Sequence, residues 1–223
     1  MSHHRAATAL LLVIIAACAA AFLRAEQLKL RHSAVAHPHV RNDFSPGCTD
    51  PSCTSVATLR FTLRSAQTLT LAIVDRSGTV VRRLADRRFA KGPVTTTWDG
   101  STDGGATAPD GHYRLQVTLG DGRKLTIPDP IVVDTKPAGI TLGPVHRGTK
   151  TLAIPYTRSQ GNVHALLIVL RHGSVVLTKR VIPRVAHLSY DTLKPGRYTI
   201  EIVAVDRAGN RTPNPPSVSV TIP

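Results

Sequence analysis

The chain has 223 residues, and its 28 Lys and Arg against 14 Asp and Glu leave a formal net charge of +14. Hydrophobic residues at 42% exclude a mainly disordered chain, because that much apolar surface offsets the entropy of ordering it. Aromatics at 4% mean a core built from Val, Leu, Ile and Ala, while Gly and Pro at 16 each require many turns. The length allows one large domain or two small ones.

After a short tail over 1–6, residues 7–23 carry no charge and lie between Arg5 and Arg24. Spanning a bilayer core takes about 20 apolar residues, so the run reads as a short transmembrane anchor or the apolar part of a signal peptide. Ala19-Ala20-Ala21 resembles a cleavage site, and Ile15-Ala16-Ala17-Cys18 resembles a lipobox, which would make Cys18 a lipidation site. Arg24, Lys29 and Arg31 outnumber Arg5, and the positive-inside rule would hold that heavier flank in the cytoplasm. The cysteines argue the other way.

Besides Cys18, the chain has only Cys48 and Cys53, in a loop with Pro46, Gly47 and Pro51. A disulfide between them would stabilise by about 2 kcal/mol on the chain-entropy estimate and implies an oxidising compartment. The rival readings are free thiols, or zinc held by His37, His39, Cys48 and Cys53. Residues 24–43 show little periodicity and read as a linker.

From Ala57 onward apolar and polar residues alternate. Leu59, Phe61 and Leu63 share one face, as do Leu69, Leu71 and Ile73. Asp75-Arg76-Ser77-Gly78 reads as a turn into a strand from Thr79 to Leu84, followed by strands over Val94–Trp98 and Tyr113–Leu119. Asp121-Gly122 is a hairpin signal leading into Lys124–Ile127. Later, Leu152, Ile154 and Tyr156 fit a strand, as do Val163–Leu170, Val175–Lys179, Tyr198–Val205 and Val218–Ile222. Short strands at regular spacing, with no sustained helical period, predict an all-β fold of antiparallel sandwiches.

The two halves resemble each other. Gly78, Val80 and Val81 recur as Gly173, Val175 and Val176, and Gly111, Tyr113, Leu115 and Val117 recur as Gly196, Tyr198, Ile200 and Ile202. The offset shrinks between these sets, so the first copy holds about ten extra residues, placed in the loop Asp99–Asp110.

Trp98-Asp99-Gly100, Asp103-Gly104-Gly105 and Pro109-Asp110-Gly111-His112-Tyr113 together resemble the W-(D/N)-G…D…G…P-x-G-x-Y signature of the FlgD-type bacterial Ig-like domain. The family's F-S-P-N-G-D-G segment survives as Phe44-Ser45-Pro46, with its acidic part replaced by the Cys48–Cys53 loop, which strengthens the disulfide reading. The second half is similar to bacterial Ig-like or fibronectin type III repeats through Leu193-Lys194-Pro195-Gly196-Arg197-Tyr198 and Ala204-Val205-Asp206-Arg207-Ala208-Gly209-Asn210. The resemblance implies two tandem Ig-like sandwiches behind an amino-terminal hydrophobic helix, a first domain over 44–134 and a second over 137–223. It implies a fold, and the fold hosts many functions.

Candidate sites follow. Arg171-His172-Gly173 matches the opening of the histidine-phosphatase signature but falls at a predicted hairpin tip. Asp99, Asp103 and Asp110 offer oxygen ligands to Ca²⁺ or, on the bland reading, supply turn chemistry. No other cofactor is suggested. Trp98, Gly100, Gly111, Tyr113, Gly196 and Tyr198 read as structural, the tyrosines in a tyrosine-corner role. Arg82, Arg83, Arg87, Arg88 and Lys91 form a basic cluster suited to anionic envelope polymers or lipid headgroups, or else a solvated face. Nucleic acid is disfavoured because no aromatic platform accompanies the charge.

The expectation is a non-enzymatic, extracytoplasmic binding or scaffold protein of the cell envelope, membrane-anchored or secreted, with Asp99–Asp110 as the contact loop. The alternatives are an accessory protein of a separately encoded hydrolase or secretion complex, and a small phosphatase built around His172.

Overall fold

A computed structural model of the chain describes residues 14–22, 33–40, 43–51, 53–159, 164–181 and 184–223. Its strands divide between two hydrophobic cores, one drawn from residues 35–133 and the other from residues 152–222.

The first body contains β1 (Val35–Val40), β2 (Asp43–Phe44), β3 (Ala57–Leu63), β4 (Gln67–Val74), β5 (Val80–Phe89), β6 (Gly92–Trp98), β7 (Gly111–Leu119), β8 (Lys124–Thr126) and β9 (Ile131–Val133). One sheet has the order β1-β3-β6 and the other β2-β9-β7-β4-β5, with β8 attached to β7. All pairs are antiparallel except β2 with β9. The alternation predicted these strands because each has one face in the core: Leu59 and Leu63 from one sheet and Leu69, Leu71 and Ile73 from the other are fully buried.

The second body contains β10 (Ile140–Leu142), β11 (His146–Arg147), β12 (Thr151–Arg158), β13 (His164–Arg171), β14 (Ser174–Val181), β15 (Val185–Ser189), a 3₁₀ turn over Tyr190–Thr192, β16 (Gly196–Val205) and β17 (Ser217–Ile222). Here β12 pairs with β10, β11 and β15, facing a sheet of order β14-β13-β16-β17. The duplication seen in the sequence is thus a duplication of topology. The hairpin β4–β5 lies beside β7 and β9 as the hairpin β13–β14 lies beside β16 and β17.

The repeated tyrosines make the same bond twice. Tyr113 Oη donates to the Pro109 carbonyl at 2.6 Å, and Tyr198 Oη donates to the Lys194 carbonyl at 2.8 Å, each four residues upstream. Each hydroxyl ties the incoming loop to the start of a central strand, which is the tyrosine-corner arrangement.

One boundary is corrected. Residues 24–43 are not all linker, because β1 pairs with β3 inside the first body. Its periodicity is hidden by a register shift between Ala36 and His39, where His37 takes φ 48°, so only Val35 and Val40 reach the core. The amino-terminal segment 7–23 is described only over 14–22, which is helical with Cys18 exposed. Residues 7–13 and 23 lie outside the described residues. Among the described residues no helix is long and apolar enough to cross a membrane.

Candidate functional site

Asp99–Asp110 joins β6 to β7 and folds back onto the edge of β5. Asp103 N–H donates to the Val81 carbonyl at 2.9 Å, and Asp103 Oδ1 accepts from the Arg83 amide at 2.9 Å. Arg82 Nη1 donates to the Thr102 carbonyl at 2.9 Å. The loop base is fixed by Trp98, whose Nε1 donates to the Ser101 carbonyl at 2.8 Å. Gly100 requires its glycine: its φ is +85°, and a Cβ there would fall 2.3 Å from the Pro46 ring.

The three candidate calcium ligands are each bound to the chain itself. Asp99 Oδ1 accepts from the Ser101 hydroxyl at 2.6 Å and the Ser101 amide at 2.9 Å, and these donors hold its carboxyl below the usual range. Asp110 Oδ1 accepts from the Thr135 amide at 2.9 Å and the Thr135 hydroxyl at 2.8 Å. Asp103 is bonded to the backbone of β5, so the three serve separate backbone positions. Among the described residues no group of three or more His, Cys, Asp or Glu side chains is arranged to hold a metal.

The basic cluster is divided by the pleat of β5. Arg82 and Arg87 stand opposite Ile73 and Leu69, on the core-facing side of the strand, while Arg83 and Arg88 stand opposite Ala72 and Thr68. Arg87 lies over the Phe89 ring, 4.4 Å from its centroid, and Lys91 is exposed in the turn that follows. The run therefore does not form one face. Charges on an edge strand also deter another chain from pairing with it, a second use for the same residues.

His172 sits with Gly173 in the two-residue turn between β13 and β14, both at positive φ (51° and 80°). These are the dihedral signs of a type I′ hairpin turn, which accounts for the Arg171-His172-Gly173 sequence without chemistry. Cys48 and Cys53 are joined in a disulfide with a Cα–Cα distance of 6.4 Å. Zinc held by these thiolates is thereby ruled out, since the two sulfurs bond to each other.

Sequence reasoning missed the seam between the bodies. Asp206 and Asn210 are buried polar residues. Asn210 Nδ2 donates to Asp206 Oδ2 at 2.9 Å and, across the seam, to the Asp134 carbonyl at 2.8 Å. Thr212 Oγ1 donates to the Ala138 carbonyl at 2.7 Å, and the Thr54 amide to the Ala208 carbonyl at 3.0 Å. Arg211 lies 3.8 Å from Asp50 at the mouth of an open groove of about 490 Å³, walled by Ile168, Glu201 and Val203. The available signal was the Asp206-Arg207-Ala208-Gly209-Asn210 turn sequence, which reveals a turn but not its partner across the seam.

At this seam desolvation raises the Asp134 carboxyl, aided by the carboxylates of Asp206, Asp110 and Asp43 and opposed by the Lys136 amide, which donates to it at 3.1 Å. A carboxyl raised on folding binds more protons folded than unfolded, so its contribution favours folding at low pH and is lost as pH rises through the folded value. Asp134→Asn keeps the acceptor and removes the charge. We expect it to raise the melting temperature at pH 7, with the gain vanishing below about pH 4, where the unfolded carboxyl is protonated as well. A melting temperature lowered at pH 7 would contradict this account.

Residues 52–123 match the FlgD Ig-like domain family. The basal-body rod modification protein FlgD of Salmonella typhimurium is 35% identical over 66 residues, covering 30% of this chain and 28% of that protein. That of Escherichia coli is 31% identical over 68 residues, covering 30% and 29%. Among solved structures, the fibronectin(III)-like modules of Clostridium thermocellum CbhA match at TM-score 0.45 and 19% identity, covering 83% of this chain and 94% of that one. FlgD from P. aeruginosa matches at TM-score 0.31 and 20% identity, covering 56% and 89%. The matched region therefore spans less than a third of the length of the curated relatives. Residues 52–123, from the Cys53 loop through the hairpin turn after β7, are a FlgD Ig-like domain.

Proposed function

We propose that the chain is a non-enzymatic, extracytoplasmic binding or scaffold protein of the bacterial envelope, anchored or exported through its amino-terminal apolar segment. The observation that carries the location is the Cys48–Cys53 disulfide, since such bonds persist in oxidising compartments. The FlgD Ig-like domain supports the same reading, its curated relatives being named basal-body rod modification proteins. Loop display from a stiff sandwich is the mechanism, with the exposed tip of 103–107 as the contact surface. The formal charge of +14 adds a screened attraction to anionic polymers or lipid headgroups.

Fractionation with thiol labelling tests the location. Cys48 and Cys53 are expected to resist alkylation until a reductant is added, in membrane or medium fractions; reactive thiols in a cytoplasmic fraction would refute the reading. The electrostatic part is tested with vesicles of anionic lipid. Binding should fall as salt rises from about 0.01 M to about 1 M, because the screening length shrinks from about 30 Å to about 3 Å. Binding that ignores salt would remove the charge from the explanation.

A further inference from the structure

The two bodies repeat the same sheet, and each repeat leaves one strand at its end: β5 in the first, β14 in the second. An edge strand directs the N–H and C=O of every second residue away from its neighbour, which makes it a template for another extended chain. In the first body the Val81–Arg83 end of that edge is occupied. The Asp99–Asp110 loop supplies Asp103, whose amide and carboxylate take the Val81 carbonyl and the Arg83 amide as a short extra strand would.

The second body lacks that loop. Its connection from β15 to β16 is the Tyr190–Thr192 turn and the few residues before Gly196. The residues matching Val80 and Val81 are Val175 and Val176, which are 60% and 48% exposed. Among the described residues β14 pairs only with β13. Val175 stands opposite half-buried Leu170 on the outer face, and Leu177 opposite fully buried Val169 on the core side, so an added strand would find apolar contact on both faces.

We propose that β14 is a strand-acceptor edge, and that its occupant is an extended segment of another polypeptide in which apolar and acidic residues alternate. The charge of the edge selects this occupant. From Arg171 to Ser189 the chain has no Asp or Glu, while Lys179 and Arg180 lie on the strand and Arg184 just beyond it. A second copy of β14 laid alongside would bring like charges together. An alternating strand instead sets its glutamates on the outer face with Arg180, which stands opposite half-buried Leu166, and its apolar residues on the core side with Leu177, giving a favourable cross-strand charge pair. The bulge at Val176, between the Leu177 and Val175 pairings, kinks this edge, and among the described residues Ser174–Arg180 has no second partner strand on either side of it. This inference stands apart from the envelope location and survives its failure.

The test uses the full chain and a labelled peptide of alternating valine and glutamate, of the eight-residue length of β14. Saturable binding is expected, with slowed hydrogen exchange within Ser174–Arg180. The same peptide N-methylated at every second amide, and one with lysine in place of glutamate, should each bind at least about tenfold more weakly. Val175→Asp, at a solvent-exposed position, should weaken the glutamate peptide similarly while leaving the melting temperature unchanged. The proposal is overturned if the N-methylated or lysine peptide binds equally well, if protection falls on β5, if the chain self-associates through β14, or if no saturable binding is found.

Discussion

Trp98→Ala should lower the stability of the first body by about 3–5 kcal/mol, the range for removing a large buried aromatic. The side chain is 1% exposed and sits between Phe44 and Tyr113, with ring centroids 5.5 and 5.1 Å away in edge-on contact. Its loss therefore loosens β2, β6 and β7 together and frees the Ser101 carbonyl that anchors the 99–110 loop. Denaturant unfolding followed by circular dichroism measures the change. Since Trp98 is the only tryptophan in the chain, its fluorescence in the parent protein reports this core alone. A loss below about 1 kcal/mol, typical of a surface substitution, would mean that this aromatic stack does not organise the body.

Asn210→Ala should cost about 2–3 kcal/mol and separate the melting of the two bodies. The side-chain amide serves two acceptors at once, the 5%-exposed Asp206 carboxylate and the Asp134 carbonyl of the other body. Alanine leaves Asp206 with the Asn210 backbone amide at 2.9 Å but withdraws the second donor, and an under-bonded buried carboxylate is costly. Calorimetry of the parent and variant would show one coupled transition becoming two. Two transitions already present in the parent, unchanged by the substitution, would show that the seam carries no coupling.

The sequence was most informative where one rule acted alone. Alternation located β3, β4, β7, β12 and β16 because each buries one face against a facing sheet, and Asp121-Gly122 marked the β7–β8 hairpin, with Gly122 at φ +83°. It failed where the backbone departs from the pleat. The shift at His37 concealed β1, and the bulges in β4–β5 concealed how far β5 runs, to Phe89. Short strands such as β10, β11 and β15 owe their pairing to β12 and have too few residues to show a period.

For the site, composition could find the arginines and aspartates but not their directions. Adjacent residues of a strand face opposite ways, so Arg82-Arg83 and Arg87-Arg88 each divide between two surfaces. Asp103 and Asp110 looked available because their partners, Arg83 and Thr135, are distant in sequence. The insertion itself was legible from the changing offset between the two halves. Its role in covering β5 required the fold.

Among the described residues, the ring closed by Cys48 and Cys53 carries no side chain of either core. Asp50 within it and Thr54 just beyond it reach Arg211 and Ala208 in the other half. Chemical reduction would then slacken the articulation between the halves while each interior stays intact. A chain produced in a reducing host would behave as two firm beads on a looser cord, and re-oxidation would restore its stiffness.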